Sequence, residues 1–271
     1  MKHILPIPFG LLLMVFAQLA YAAPVDEGRA ALKEGQYGSA IKAFAQGMEN
    51  GDLDAVYHLA QMLEVGLGVG ADVSAAVGLY KEAAAGGHVR SINKLALMHY
   101  RGAAGVTQDY EEAARLFRIA AEKGDRNALF NLGKMTFEGH GVERDIKQAI
   151  AFYKQAAEQE HILAINTLGA LYLAGEAGEA DRARARLYFE RSASFGNALG
   201  LFEVARLILE EGTSSQNLIN AHTYLNLASA RSHPQAPQAL QELTSLMSLE
   251  ELEKAQAQAL SFQPETFEGD Q

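Results

Sequence analysis

Apolar residues recur at helical spacing along this chain, and the pattern itself returns about every 36 residues. Leu59, Leu95, Leu132 and Leu168 are 36, 37 and 36 residues apart. Gly66, Gly102, Gly139, Gly175 and Gly212 are spaced 36, 37, 36 and 37 apart. Asp72, Asp109, Asp145 and Asp181, and likewise Ala84, Ala121, Ala157 and Ala193, keep intervals of 37, 36 and 36. Four landmarks on one period define an internal repeat. A unit this short cannot bury its apolar face alone and has to stack on its neighbours.

Each unit reads as two helices. In the third, Ala128, Leu132, Met135 and Thr136 share a helical face, and Gly139-His140-Gly141-Val142 then breaks the helix. Glycine reaches the left-handed conformation that a helix end commonly needs. Asp145 stands at an N-cap position, and Ala149, Phe152, Tyr153, Ala156 and Ala157 line one face of the second helix. Asp109-Tyr110-Glu111-Glu112 has the form of a capping box. The pairs Ala83-Ala84, Ala120-Ala121, Ala156-Ala157 and Ser192-Ala193 carry little volume, which lets helices approach closely. The fifth unit reads with Ala205-Arg206 in place of the Leu-Gly pair and one residue inserted before Gly212.

The ends differ from the middle. Met1-Lys2-His3, the apolar stretch Ile4 to Leu19 and Ala20-Tyr21-Ala22-Ala23 have the layout of a secretory signal peptide cleaved after Ala22. Leu32, Gly35, Tyr37, Ala40, Ile41 and Phe44 supply a helix-turn-helix opening unit within 24–52. Pro234 and Pro237 punctuate a helix to about Met247, and a last helix from Ser248 carries Glu250 and Glu251 in its first turn, where they favour the helix dipole. It is expected to cap the final apolar face. The tail 263–271 is acidic and expected to be frayed.

Composition narrows the chemistry. Across 271 residues, 23 Lys and Arg face 33 Asp and Glu, giving a net charge of −10, which disfavours nucleic acid and anionic membranes. With no cysteine, disulfides, thiol catalysis and thiolate metal sites are excluded. Gly66-Leu67-Gly68-Val69-Gly70 superficially resembles a phosphate-binding loop, but it follows a helix and recurs as a turn in the later units. The histidines are dispersed and form no H-x-x-x-H pair, and His88 and His161 sit at equivalent inter-repeat turns. No G-x-S-x-G elbow is present. No cofactor, metal or catalytic set is expected.

The motif Ala128-Leu-Phe-Asn-Leu132-Gly133, Gly139-His-Gly-Val142-Glu-Arg-Asp145, Ala149, Phe152-Tyr153-Lys-Gln-Ala156-Ala157 resembles the Sel1-like repeat family, relatives of the tetratricopeptide repeats. Repeat-level matches run from about Ala55 to Ala230. The resemblance implies an all-α fold: a right-handed α-solenoid of stacked helix pairs, with repeats at 53–88, 89–125, 126–161, 162–196 and 197–232, a helical cap at 233–262, and the whole of 23–271 as one domain. It also implies that the first helix of each unit lines a concave face. The stripe there would hold Tyr57, Gln61 and Glu64; Asn93, Leu97 and Tyr100; Phe130, Lys134 and Phe137; and Asn166, Ala170 and Leu173. Aromatic rings can anchor a peptide and amides can bond its backbone; the alternative is that Phe130 and Phe137 pack between repeats. Family resemblance implies a non-enzymatic exported adaptor or scaffold for a protein or peptide partner, periplasmic or released from the cell, with no direct membrane insertion after signal cleavage. Exported relatives resemble scaffolds of polysaccharide-export complexes and flagellar motors, inhibitory partners of sensor kinases, or factors in bacterium–host interaction. A cell-wall or polysaccharide hydrolase and a purely architectural subunit of an envelope complex are the alternatives.

Overall fold

The structure is a computed structural model that describes residues 24–103 and 105–266. The expected signal peptide, 1–22, and the last five residues, 267–271, lie outside the described residues. Every regular element among the described residues is a helix. Helix α1 (24–33) and α2 (Tyr37–Glu49) form the opening pair. Five further pairs follow: α3 (Leu53–Val65) with α4 (Val73–Ala85), α5 (Val89–Arg101) with α6 (Tyr110–Glu122), α7 (Arg126–Glu138) with α8 (Ile146–Glu158), α9 (Ile162–Ala174) with α10 (Arg182–Ser194), and α11 (Ala198–Glu210) with α12 (Ser215–Ala230). Helices α13 (Ala236–Thr244) and α14 (Leu249–Ser261) close the chain.

The helices divide into two compact units. One takes the described residues up to Ala128 together with His140–Val142; the other takes Leu129–Gly139 and the described residues from Glu143 onward. In the first unit the opening pair packs Phe44, which is fully buried, against Val25, Ala31, Ala40, Ala55 and Met62. Gly28 is required here, since a Cβ would lie 2.4 Å from the Phe44 ring.

The periodic landmarks have distinct structural duties. Asp72, Asp109, Asp145 and Asp181 cap the second helices, each accepting from the backbone N–H three residues on at 2.9 Å. That satisfies a donor that the helix itself leaves free, worth about 1 kcal/mol per cap. Gly66, Gly102 and Gly175 end their helices at φ 75°, 66° and 77°, as the turn requires. One aromatic per second helix is buried at Tyr80, Phe117, Tyr153 and Phe189. The small residue after the landmark leucine makes room for it: a Cβ on Gly133 or Gly169 would lie 2.9 Å from the Tyr153 or Phe189 ring. Each such ring is worth roughly 1.5–3 kcal/mol by burial.

Two local expectations change. In the fifth repeat Val204 and Ala205 are fully buried and half-exposed Arg206 follows them, so Val204-Ala205 takes the Leu-Gly place. The inserted residue falls later: Glu211 ends α11 in right-handed geometry and Gly212 follows at φ 134°. At Asp109 the capping box is half made. Glu112 donates its backbone N–H to Asp109, but its carboxylate turns to Arg115 at 2.6 Å, because a bidentate guanidinium is the stronger partner. A complete box forms at Ser248 and Glu251. Helix α14 packs on α12, with Ala255 fully buried and Thr223 Oγ1 3.2 Å from the Ala255 carbonyl.

Candidate functional site: the first-helix ladder

The first helix of every repeat begins with a side chain that accepts a backbone N–H. Asp52 accepts from Asp54 and Ala55, His88 from Ser91, Asp125 from Ala128, His161 from Ala164 and Asn197 from Gly200. A histidine can do this only through an unprotonated Nδ1. The two histidines singled out at inter-repeat turns are therefore helix caps.

Five residues after each cap comes the first rung of the expected stripe, at Tyr57, Asn93, Phe130 and Asn166, and the fifth repeat places Phe202 at the equivalent position. Four of these rungs meet the residue 31 places on, which for Tyr57, Phe130 and Asn166 is the cap of the next repeat, and the chemistry of the two positions matches. The Tyr57 ring lies 5.1 Å from His88, Phe130 stacks on His161 at 4.7 Å and Phe202 stacks on His233 at 4.1 Å. Asn166 instead donates from Nδ2 to Asn197 Oδ1 at 3.1 Å. Ring meets ring and amide meets amide, 31 residues apart.

In the first unit this joint is extended by charge. His88 Nδ1 accepts the cap bond, so Nε2 carries the proton and donates to Asp54 Oδ1 at 3.1 Å. Arg90 also pairs with Asp54, and its guanidinium sits 4.9 Å from the Tyr57 ring centre. Burial lowers the His88 pKa, partly opposed by Asp54. Burial raises Asp54, but hydrogen bonds from His88 and Arg90 and the charge of Arg90 outweigh it, so its pKa falls. Gln61 is exposed; its Nε2 donates to Tyr57 Oη at 3.1 Å and its Oε1 accepts from His58 Nδ1 at 3.1 Å. Glu64 accepts from Tyr80 Oη at 2.8 Å and pairs with Lys94 at 2.8 Å, tying α3, α4 and α5 together. Burial, then the bond to Glu64, pushes the Tyr80 phenol well up.

The remaining expected residues fall as follows. In the first unit Asn93 and Leu97 are half-buried, with Asn93 Oδ1 buried and unbonded. Tyr100 is half-buried, its ring 5.4 Å from Tyr110 and 6.4 Å from His140, while Tyr110 and His140 stack at 4.8 Å. In the second unit Phe130 also touches Tyr153, ring centres 5.7 Å apart. Lys134 lies 4.0 Å from Glu138, and Phe137 lies under the Arg144 guanidinium at 5.8 Å. Asn166 is only 6% exposed and Ala170 is exposed.

The stripe thus separates into an inner rung that joins repeats and two outer rungs. Asp54, His88, Arg90 and Lys94 were missed as members of this surface. For His88 a signal existed, the matched change of residue type at two positions 31 apart; the sequence carried none for Asp54, Arg90 and Lys94. Among the described residues no cluster of three or more metal-ligating side chains occurs and no helix is long and apolar enough to cross a membrane.

The comparisons agree with this architecture. The Sel1 repeat model matches at residues 53–88, 89–125, 126–161, 162–197 and 198–233. Among solved structures, a Sel1 repeat protein from Oxalobacter formigenes is 25% identical with a TM-score of 0.75, over 88% of this chain and 100% of that one. A protective antigen present in uropathogenic Escherichia coli strains, displaying an SLR fold, is 28% identical with a TM-score of 0.72, over 89% of this chain. The chain spans only 54% of that antigen's structure. No curated protein matches. With its helix pairs, its caps and more than half its length matched by the repeat model, the chain belongs to the Sel1 repeat family, an all-α solenoid class whose members generally mediate protein–protein interaction.

Proposed function

We propose that this chain is an exported, non-enzymatic adaptor that binds a protein or peptide partner in the bacterial envelope through the outer rungs of its first helices. The observation that carries this reading is the position nine residues after each cap. It holds Gln61, Leu97, Lys134, Ala170 and Arg206, all at least partly accessible, while the two preceding positions are buried in four repeats, as at Leu132-Gly133 and Leu168-Gly169, and in the first repeat Ala60 is buried beside partly buried Leu59. The fold dictates the buried pair, whereas this position varies among an amide, a leucine, an alanine and two cations, with Gln61, Lys134 and Arg206 also meeting neighbours on their own helices. Varied accessible chemistry on a regular frame is what a surface selective for a protein or peptide partner requires, within each unit. Tyr57, Asn93 and Tyr100 in the first unit, and Phe130, Phe137 and Asn166 in the second, supply the aromatic and amide groups beside these rungs.

Photoreactive side chains placed at Gln61, Leu97 and Lys134 test this in intact cells, with Lys81, Arg118 and Lys147 on second helices as controls. The expected result is one recurrent crosslinked protein from the first-helix sites. Crosslinks confined to the controls would move the surface elsewhere. Turnover of peptidoglycan or polysaccharide by the purified chain would replace the reading with a hydrolase. Cell fractionation with N-terminal sequencing checks export: the mature chain should start at Ala23 in the periplasm.

A further inference from the structure

Helix α10, in the second unit, carries two groups of cations, and the protein neutralises only one of them. Toward α11, Arg182 pairs with Glu210 at 2.8 Å, and Arg186 pairs with Glu190 at 2.7 Å and with Glu211. Those two arginines line a groove whose charges are matched within the chain. Leu187, 65% exposed, borders that groove and also a second hollow. The second is an open pocket of about 450 Å³ formed by α8, α9 and α10 and lined by Lys154, Tyr172, Arg184, Leu187, Tyr188 and Arg191.

In this pocket the charges are not matched. Arg184 has one acid, its own helix cap Asp181, at 3.1 Å. Among the described residues neither Lys154 nor Arg191 has a carboxylate within ion-pairing distance. The two tyrosine rings lie 5.6 Å apart and nearly parallel, at 7°, with the Arg184 guanidinium 5.5 Å from the Tyr172 ring centre. The three positive charges converge on Tyr188: burial, then the Tyr172 phenol, raises its pKa, while Lys154, Arg191 and Arg184 each pull it down. Acids are not scarce, at 33 against 23 bases, yet they neutralise one side of α10 and leave the other positive.

We propose that this pocket binds an acidic peptide segment of a partner protein, with carboxylates on Lys154 and Arg191 and an adjacent apolar side chain against Leu187. Cations beside an exposed leucine ask for carboxylates and an apolar group on one backbone. Every lining residue lies inside a helix, where its backbone N–H is engaged by the helix or, at Arg184, by Asp181, so no main-chain cradle for phosphate exists here. A long polyanion is repelled by a chain of net charge −10, whereas two carboxylates respond to the cations within a Debye length of about 8 Å. The pocket contains none of the outer first-helix rungs, so it stands or falls separately from them.

Titration of the isotope-enriched chain with acetyl-Gly-Asp-Leu-Glu-Gly-amide tests the pocket. Binding should shift the amide signals of Leu187, Tyr188 and Arg191, leave those of α3 and α4 unchanged, and weaken about tenfold when Asn and Gln replace the two acids. Lys154→Gln with Arg191→Gln should weaken it by a similar factor with helicity retained. Arg182→Gln with Arg186→Gln, on the matched side, should change it by less than about twofold. Equal binding of the uncharged peptide, shifts centred away from α10, or no shift up to about 10 mM peptide would overturn the proposal. Inorganic phosphate, acetate or an acidic oligosaccharide moving the same signals at the peptide's concentration would overturn it too, and would assign the pocket to a free anion or a saccharide.

Discussion

The joint at Tyr57 in the first unit and the joints at Phe130 and Phe202 in the second solve one problem with different chemistry. Each must seat the start of the next repeat, or at Phe202 the start of the closing helices, against the helix before it. In the second unit a phenylalanine ring stacks flat on the next histidine, at 4.7 and 4.1 Å. In the first unit a tyrosine meets the histidine at a tilt of 53°, and Asp54, Arg90, Glu64, Lys94 and Tyr80 surround the joint with hydrogen bonds and ion pairs. The ring stacks draw mainly on buried area, which hardly responds to salt. The polar joint draws on the protonation state of His88 and on partly screened charges. One frame therefore carries joints that differ in how conditions act on them.

The largest expected effect comes from breaking an apolar stack. Phe202→Ala should cost about 2–3 kcal/mol in urea titrations, below the 3–5 kcal/mol of a fully buried phenylalanine because the ring is half-exposed. The loss should be nearly the same at low and high salt; a strongly salt-dependent loss would erase the contrast between the joints. Tyr80→Phe comes next, at about 1.5–2 kcal/mol, since it removes a hydrogen bond to the charged Glu64.

Acid supplies the third test. The His88 pKa is lowered in the folded protein, burial being the largest cause, so below the ordinary histidine value of about 6.5 the unfolded chain binds protons that the folded chain refuses. The stability it confers is complete above that value and is lost as the pH falls through the folded value. His88→Asn keeps a capping oxygen and removes the titration, so the fall in unfolding midpoint between pH 7.5 and pH 5.5 should shrink. His58, His222 and His233, also lowered by burial, leave a residual slope. The smallest effect is expected at the amide joint: Asn166→Ala should cost about 0.5–1 kcal/mol, and a double-mutant cycle with Asn197 should recover most of it as coupling.

Much of the fold was legible in the chain. The Asp landmarks, the turn glycines and the small pairs each report a local requirement: a free N–H to satisfy, a left-handed residue, a tight approach. Such requirements are met within a few residues, so they repeat with the period and can be counted. The fifth repeat shows the limit. Counting by the turn glycine Gly212 puts the Leu-Gly pair at Ala205-Arg206, one place late, whereas the cap Asn197 sets the register of α11 and buries Val204-Ala205.

The surface was less legible. Helical spacing put Tyr57, Asn93, Phe130 and Asn166 on one stripe, and they do occupy equivalent places, but spacing cannot say what lies opposite. Asn166 is buried against Asn197, and Phe130 leans on His161; both partners stand 31 residues away. Glu64, which helical spacing places on the stripe, holds three helices together.

The amino-acid sequence alone determined the helices, their ends and their pairing into repeats, because those depend on periodicity and on contacts between near neighbours. Which side chains stay accessible, which histidine nitrogen holds its proton, and where cations gather in one pocket were decided only by the tertiary structure. Burial and charge at a given residue are set by whatever distant segment packs against it.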